Sequence, residues 1–182
     1  MDRYWFLTWT TYATWLPGDA RGFVSNIAGD DGKGVRHNVP GTPCDADHPD
    51  LRRYMQQTAK CPPIYLSADQ ALALLPQFQE TARYRSWLLL AVGIMANHVH
   101  MVVGVLGDPD PEDLLRDFKS YASRALNRRW SKPVSGTWWT ESGSKRKLPN
   151  DTAVRSAVQY VADQEYPLLI WTLDGGLLAP KV

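Results

Sequence analysis

The stretch AVGIMANHVHMVVGVL, residues 91–106, is dominated by apolar side chains and carries His98 and His100 at its centre. Val99, Val102, Val103 and Val105 favour an extended backbone. On a strand, residues i and i+2 point to one face and lie roughly 7 Å apart along the chain, so both imidazoles can converge on one ion. Two ordinary histidines in a half-buried sheet are the plain alternative, but each would then need a hydrogen-bond partner to offset its burial. Residues 87–95 form a second apolar run, joined to residues 98–106 through Ala96 and Asn97, and the two together predict a hairpin.

Working outward, Tyr4 to Tyr12 (YWFLTWTTY) is rich in aromatic and β-branched residues and predicts a first strand ending before Pro17-Gly18. Residues 17–63 then carry many Gly, Pro and Asp with little periodicity, apart from a short helix near 51–58, and read as a loop-rich insertion. Ser67 with Gln70 makes a capping box for a helix to about Arg83, with Ala71, Leu74, Leu75 and Phe78 inward. After Pro109-Asp110-Pro111 a further helix runs to about Trp130, with Leu114, Phe118, Tyr121 and Ala125 on its apolar stripe. Residues 137–140 predict a strand, and Asn150 or Asp151 caps a last helix extending to about Glu165. The order of strand, insertion, helix, hairpin, helix, strand and helix predicts an α+β ferredoxin-like sandwich. Its antiparallel sheet would carry helices on one face plus an added C-terminal helix, all within a single domain of residues 1–182. Such an architecture hosts many functions and proves none.

The chain has 182 residues, 44% apolar and 21% charged, with a net charge of +1, so a strongly acidic or basic class is excluded. The distribution is nevertheless uneven. Between Arg116 and Arg155 ten basic residues face three acidic ones, a balance of 10 − 3 = +7 that predicts an anionic partner. Lys119, Arg124, Arg128, Arg129, Lys145, Arg146 and Lys147 are the candidate contacts, interleaved with Tyr121, Trp130, Trp138 and Trp139 in the mixed cationic and aromatic pattern that single strands favour. Trp138 and Trp139 are expected in the core. Two cysteines, no signal sequence and no long apolar stretch predict a cytoplasmic protein with reduced thiols and no membrane association. Cys44, His48 and Cys61 in a Pro/Asp-rich loop make a poor zinc site.

The terminal helix can be weighed by angle at about 100° per residue. Val154, Val158 and Val161 fall together as a core stripe, whereas Tyr160 and Gln164 share a flank as i and i+4 neighbours beside the small Ala153 and Ala157. Tyr121, the rival tyrosine in a basic helix, lies on its own helix's apolar stripe and is expected to pack.

At these separated points the chain resembles the single-tyrosine HUH transposases of bacterial insertion sequences, including their REP-associated relatives. Residues 95–103 (MANHVHMVV) are similar to the family's HUH strand, and residues 158–164 (VQYVADQ) to the helix that carries its catalytic tyrosine. Ala96 stands where many relatives have proline, and the insertion is longer than in the minimal enzymes. The resemblance implies that His98, His100 and Gln164 bind Mg²⁺ or Mn²⁺, with imidazole suiting manganese better. It implies that Tyr160 is the nucleophile, giving a 5′-phosphotyrosine and a free 3′-hydroxyl without ATP. Single-stranded DNA with hairpin-forming element ends is the implied substrate, a homodimer the implied assembly, and the nucleoid the implied location. A histidine-triad hydrolase would need a third alternating histidine where Val102 stands, and a metallo-β-lactamase-type hydrolase an acidic residue within 101–105. The serious alternative is a domesticated, non-catalytic protein that binds single strands or hairpins.

Overall fold

In the computed structural model, which describes residues 1–19 and 49–178, ten elements follow one another. They are β1 (Arg3–Thr10), α1 (Pro49–Thr58), α2 (Ala68–Tyr84), β2 (Leu88–Ile94), β3 (His98–Val105), α3 (Pro111–Asn127), β4 (Ser144–Leu148), α4 (Asp151–Ala162), β5 (Leu169–Thr172) and β6 (Gly176–Leu178). The strands form one six-stranded sheet in the order β4-β1-β3-β2-β5-β6, with every neighbouring pair antiparallel. The first four strands with α2 and α3 give the expected ferredoxin-like α+β arrangement, and β5 and β6 extend it beyond β2.

Alternation along the strands separates two cores. Trp5, Leu7 and Trp9 of β1 and Val99, Met101, Val103 and Val105 of β3 point to the side covered by α2 and α3, where Leu74, Phe78, Leu114 and Phe118 are fully buried. Each such side chain contributes about 1.5–3 kcal/mol through burial. Residues in between, with Phe6 and Val102 among them, belong to the opposite face, where Ala157 and Val161 of α4 close a smaller cluster with Ala91 and Leu148. An irregularity in β2 between Leu89 and Ala91 lets Leu90 and Ala91 both serve that second face. Gly93 permits the close seating of α4, since a Cβ there would stand 3.1 Å from Val161 Cγ1.

The helix starts follow the sequence. Ser67 and Gln70 form both capping-box hydrogen bonds, 2.9 Å from Ser67 N to Gln70 Oε1 and 3.3 Å in return, an arrangement contributing about 1 kcal/mol. Asp110 caps α3 ahead of Pro111, and Asn150 caps α4 by accepting from Ala153 N at 2.9 Å.

Three expectations need correction. Residues 137–140 are not a strand of the sheet, because Trp138 and Trp139 turn into the core as expected and their indole nitrogens donate to Asn127 Oδ1 and to Lys119 O and Ser123 Oγ. Only a single bridge from Trp139 to Thr11 remains there, and the strand is the charged SKRKL segment that follows. The last helix stops at Ala162, not near Glu165, with Asp163 N–H closing on Gln159 O. Beyond it the short strands β5 and β6 were not anticipated.

Most of the expected insertion at 17–63 lies outside the described residues, as do Cys44 and His48, while Cys61 is half-buried. Within that region α1 buries none of its side chains. No helix among the described residues is long and apolar enough to cross a membrane.

Candidate active site on the second sheet face

Register places the site. Thr8 of β1 stands opposite His100 of β3, Phe6 opposite Val102 on one side and Arg146 on the other, and Gly93 of β2 opposite His100. His98 and His100 share this face, with ring centroids 4.7 Å apart. The turn before them is tied down where Thr11 N donates to Asn97 O at 2.9 Å and Leu66 N donates to Ala96 O at 2.7 Å.

Both imidazoles are oriented through Nδ1. His98 Nδ1 donates to Asn97 Oδ1 at 2.7 Å, and His100 Nδ1 lies 2.7 Å from Thr8 Oγ1. With Nδ1 of His98 carrying the proton, its lone pair sits on Nε2, the tautomer suited to a metal ligand; the Thr8 hydroxyl can accept from His100 Nδ1 and is compatible with the same tautomer there. His100 is only 7% exposed, and its pKa falls from 6.5 to about 3, first because burial disfavours the cation and second because His98 is close. It is therefore neutral at physiological pH.

Tyr160 of α4 meets this pair. Its ring is 5.4 Å from that of His100 and 5.7 Å from that of Phe6, both edge-on, and the residue remains 52% exposed. Phe6 in turn stacks on His100 at 5.3 Å with planes 23° apart. Gln164 lies just past the end of α4, and its amide nitrogen donates to Tyr160 O at 3.1 Å, which leaves its carbonyl oxygen as the atom of metal-ligating type. No cluster of three or more His, Cys, Asp or Glu side chains suited to a metal exists among the described residues. The two imidazoles are the donors brought together, and nitrogen ligands of this kind with an amide oxygen fit a divalent ion of borderline hardness; the Gln164 side chain is placed on the Tyr160 carbonyl and not beside the histidines.

The seven basic candidates separate sharply. Only Arg146 reaches the histidine face, with its guanidinium 5.8 Å from the Phe6 ring centre. Its neighbours point the other way, Lys145 to Glu112, and Lys147 to Asp108 at 3.6 Å and to the Trp5 ring. Lys119 Nζ donates to the carbonyls of Thr140, Glu141 and Ser142, and burial, the largest influence, lowers its pKa to about 8. Arg124 lies over the Tyr121 ring at 5.0 Å, Arg128 Nη2 donates to Gln77 Oε1 at 2.7 Å, and Arg129 is exposed beyond α3. The excess of +7 counted from the sequence is also reduced, because Asp108, Glu112 and Asp113 stand just before the counted window and pair with Lys147, Lys145 and Arg116.

Phe6 and Thr8 are site residues that the sequence did not reveal. The available signal was the alternation of Trp5, Leu7 and Trp9, which leaves Phe6 and Thr8 together on the other face.

The sequence model of IS200-like transposases matches residues 65–164, a span that includes His98, His100, Tyr160 and Gln164. Among solved structures the chain is similar to a REP-associated tyrosine transposase bound to a REP hairpin, at 14% identity and a TM-score of 0.47, covering 88% of this chain and 64% of that one. It is also similar to a candidate transposase from Deinococcus radiodurans R1, at 14% identity and a TM-score of 0.44, covering 91% of this chain and 94% of that one. No curated protein matches the sequence.

Proposed function

Because the chain belongs to the IS200-like transposase family, we propose that it cuts and rejoins single-stranded DNA through a covalent bond to Tyr160. The observation that carries this function is the half-exposed Tyr160 ring set against a buried, neutral His100 whose orientation Thr8 fixes. Tyr160 Oη attacks the scissile phosphorus, forming a P–O bond to the phenol while the bond to the 3′ oxygen breaks. The phenolic proton is lost to solvent and the departing 3′ oxygen gains one, so the products are a 5′-phosphotyrosine and a 3′-hydroxyl. Because a phosphodiester is retained, a second 3′-hydroxyl can reverse the step and join strands without a nucleotide cofactor.

His98, His100 and Gln164 would hold Mg²⁺ or Mn²⁺, which when bound supplies Lewis acidity at the scissile phosphate. Asn97 and Thr8 orient the two rings through their Nδ1 atoms, leaving Nε2 of each as the atom that would meet the ion. Phe6 supports the His100 ring and borders Tyr160, and Arg146, exposed beside Phe6, meets the phosphodiester backbone. Within one chain Tyr160 is in ring contact with His100, which in turn contacts His98, and this supports attack in cis. A homodimer would then bring two such sites together instead of completing either one. Hairpin-forming element ends are the substrate class, and residues 1–182 act as one domain with its insertion at 17–63.

The test is incubation with labelled single-stranded DNA from the flanks of the gene, in Mn²⁺ or EDTA, followed by a denaturing gel and peptide mapping. A metal-dependent adduct on Tyr160, lost in Tyr160→Phe and in His100→Ala, is expected. Cleavage that persists in Tyr160→Phe, with no adduct in the wild type, would eliminate the mechanism. Binding without any adduct would instead favour a domesticated binding protein.

A further inference from the structure

On the far side of the sheet from Tyr160, α2 and α3 meet in the core through Phe78 and Phe118, 6.0 Å between ring centres. Towards the C-terminal ends of both helices they leave a groove of about 610 Å³, within the size range of ligand sites. Its floor is polar and ordered. Buried Gln77 accepts from Arg128 Nη2 at 2.7 Å and donates to Glu80 Oε2 at 3.0 Å, so a neutral amide stands between the guanidinium and the carboxylate. Arg124 lies over Tyr121 at 5.0 Å, and Arg83 also lines the groove. Three arginines against Glu80 give a local charge of 3 − 1 = +2, and no carboxylate forms an ion pair with any of the three among the described residues. At the rim Tyr84 is 78% exposed.

The geometry points to this groove as a second site for single-stranded DNA, separate from the chemical one. The arginines meet backbone phosphates, and the exposed ring of Tyr84 stacks with a base. A single strand fits this chemistry where a duplex does not, because paired bases keep their faces inside the helix. The inference rests on the transposase reading, since it takes the same DNA as its occupant. With one site on each side of the sheet, a strand longer than the segment being cut is held at two places.

The experiment measures anisotropy of the full chain with a labelled oligothymidylate, which forms no hairpin, in EDTA so that no cleavage occurs. Tyr84→Ala should weaken binding about tenfold, while Tyr84→Phe, which keeps the ring, should bind like the wild type. Arg83→Gln combined with Arg124→Gln should flatten the dependence of log affinity on log salt by about 1.4, the value for two phosphate contacts on a single strand. All three positions are exposed, and circular dichroism of each variant checks that it folds. Unchanged affinity in Tyr84→Ala together with an unchanged salt slope in the double variant would overturn the proposal. Loss in Tyr84→Phe equal to that in Tyr84→Ala would overturn the stacking role. The Tyr160 adduct is scored on wild-type protein with a different substrate, so either reading can fail alone.

Discussion

Thr8→Val removes the hydroxyl beside His100 and little else, because valine has nearly the shape of threonine. The bond at stake is 2.7 Å long and joins a ring that is 7% exposed. No water can readily replace the lost partner, so the unpaired Nδ1 should lower stability by about 1–3 kcal/mol. Freed from Thr8, the ring loses the partner that fixes its orientation. Loss of such a supporting partner reduces metal affinity about 10–100-fold, which corresponds to about 1.4–2.7 kcal/mol. Urea denaturation in EDTA measures the first effect, and Mn²⁺ titration followed by electron paramagnetic resonance measures the second. Thr8→Ser, which keeps the hydroxyl, should restore most of both. If Thr8→Val keeps Mn²⁺ affinity and unfolds within about 0.5 kcal/mol of the wild type, the spread of an ordinary neutral substitution, then Thr8 does not orient His100 and the ligand assignment loses its support.

Two further outcomes follow from other contacts. Phe6→Leu keeps an apolar side chain but removes the ring from its stack on His100 and its edge contact with Tyr160. At about 0.5–1.5 kcal/mol per aromatic pair, the rate of adduct formation should fall about tenfold, and an unchanged rate would show that Phe6 does not position the nucleophile. Lys119 has a folded-state pKa of about 8 against an ordinary 10.5. The native chain therefore binds fewer protons than the unfolded one between these values, and Lys119 adds stability as pH rises through that window but none below it. Urea midpoints of wild type and Lys119→Met should diverge in favour of the wild type between about pH 7.5 and 9.5; a constant difference would contradict this.

Features carried by local periodicity were legible in the sequence. The His98 and His100 alternation and the Ser67 capping box both fall within a few residues, and each is found as expected; Gln164, expected on the same helix as Tyr160, lies past its end and meets only the Tyr160 carbonyl. Features decided by pairing were not. The charged segment SKRKL gives no apolar alternation, and it becomes a strand only because the exposed edge of β1 accepts it. Residues 169–172 and 176–178 are too short to signal strands without β2 beside them. A lysine on an amphipathic helix suggests a solvated charge, yet Lys119 is turned onto three carbonyls contributed by a loop more than twenty residues away. Reading Arg146 apart from Lys145 and Lys147 likewise depends on which strand edge they occupy, since alternation alone divides them but does not say which face holds the histidines.

The helix that carries Tyr160 is also the most lightly anchored of the three that cover the sheet. Only Ala157 and Val161 of α4 are fully buried, whereas α2 buries eight residues and α3 six. Segments with few buried contacts open first in native-state hydrogen exchange, so the amides of α4 should lose protection while those of β1 and β3 still hold. The proposed nucleophile would thus sit on the covering helix that opens most readily, above a sheet that stays folded.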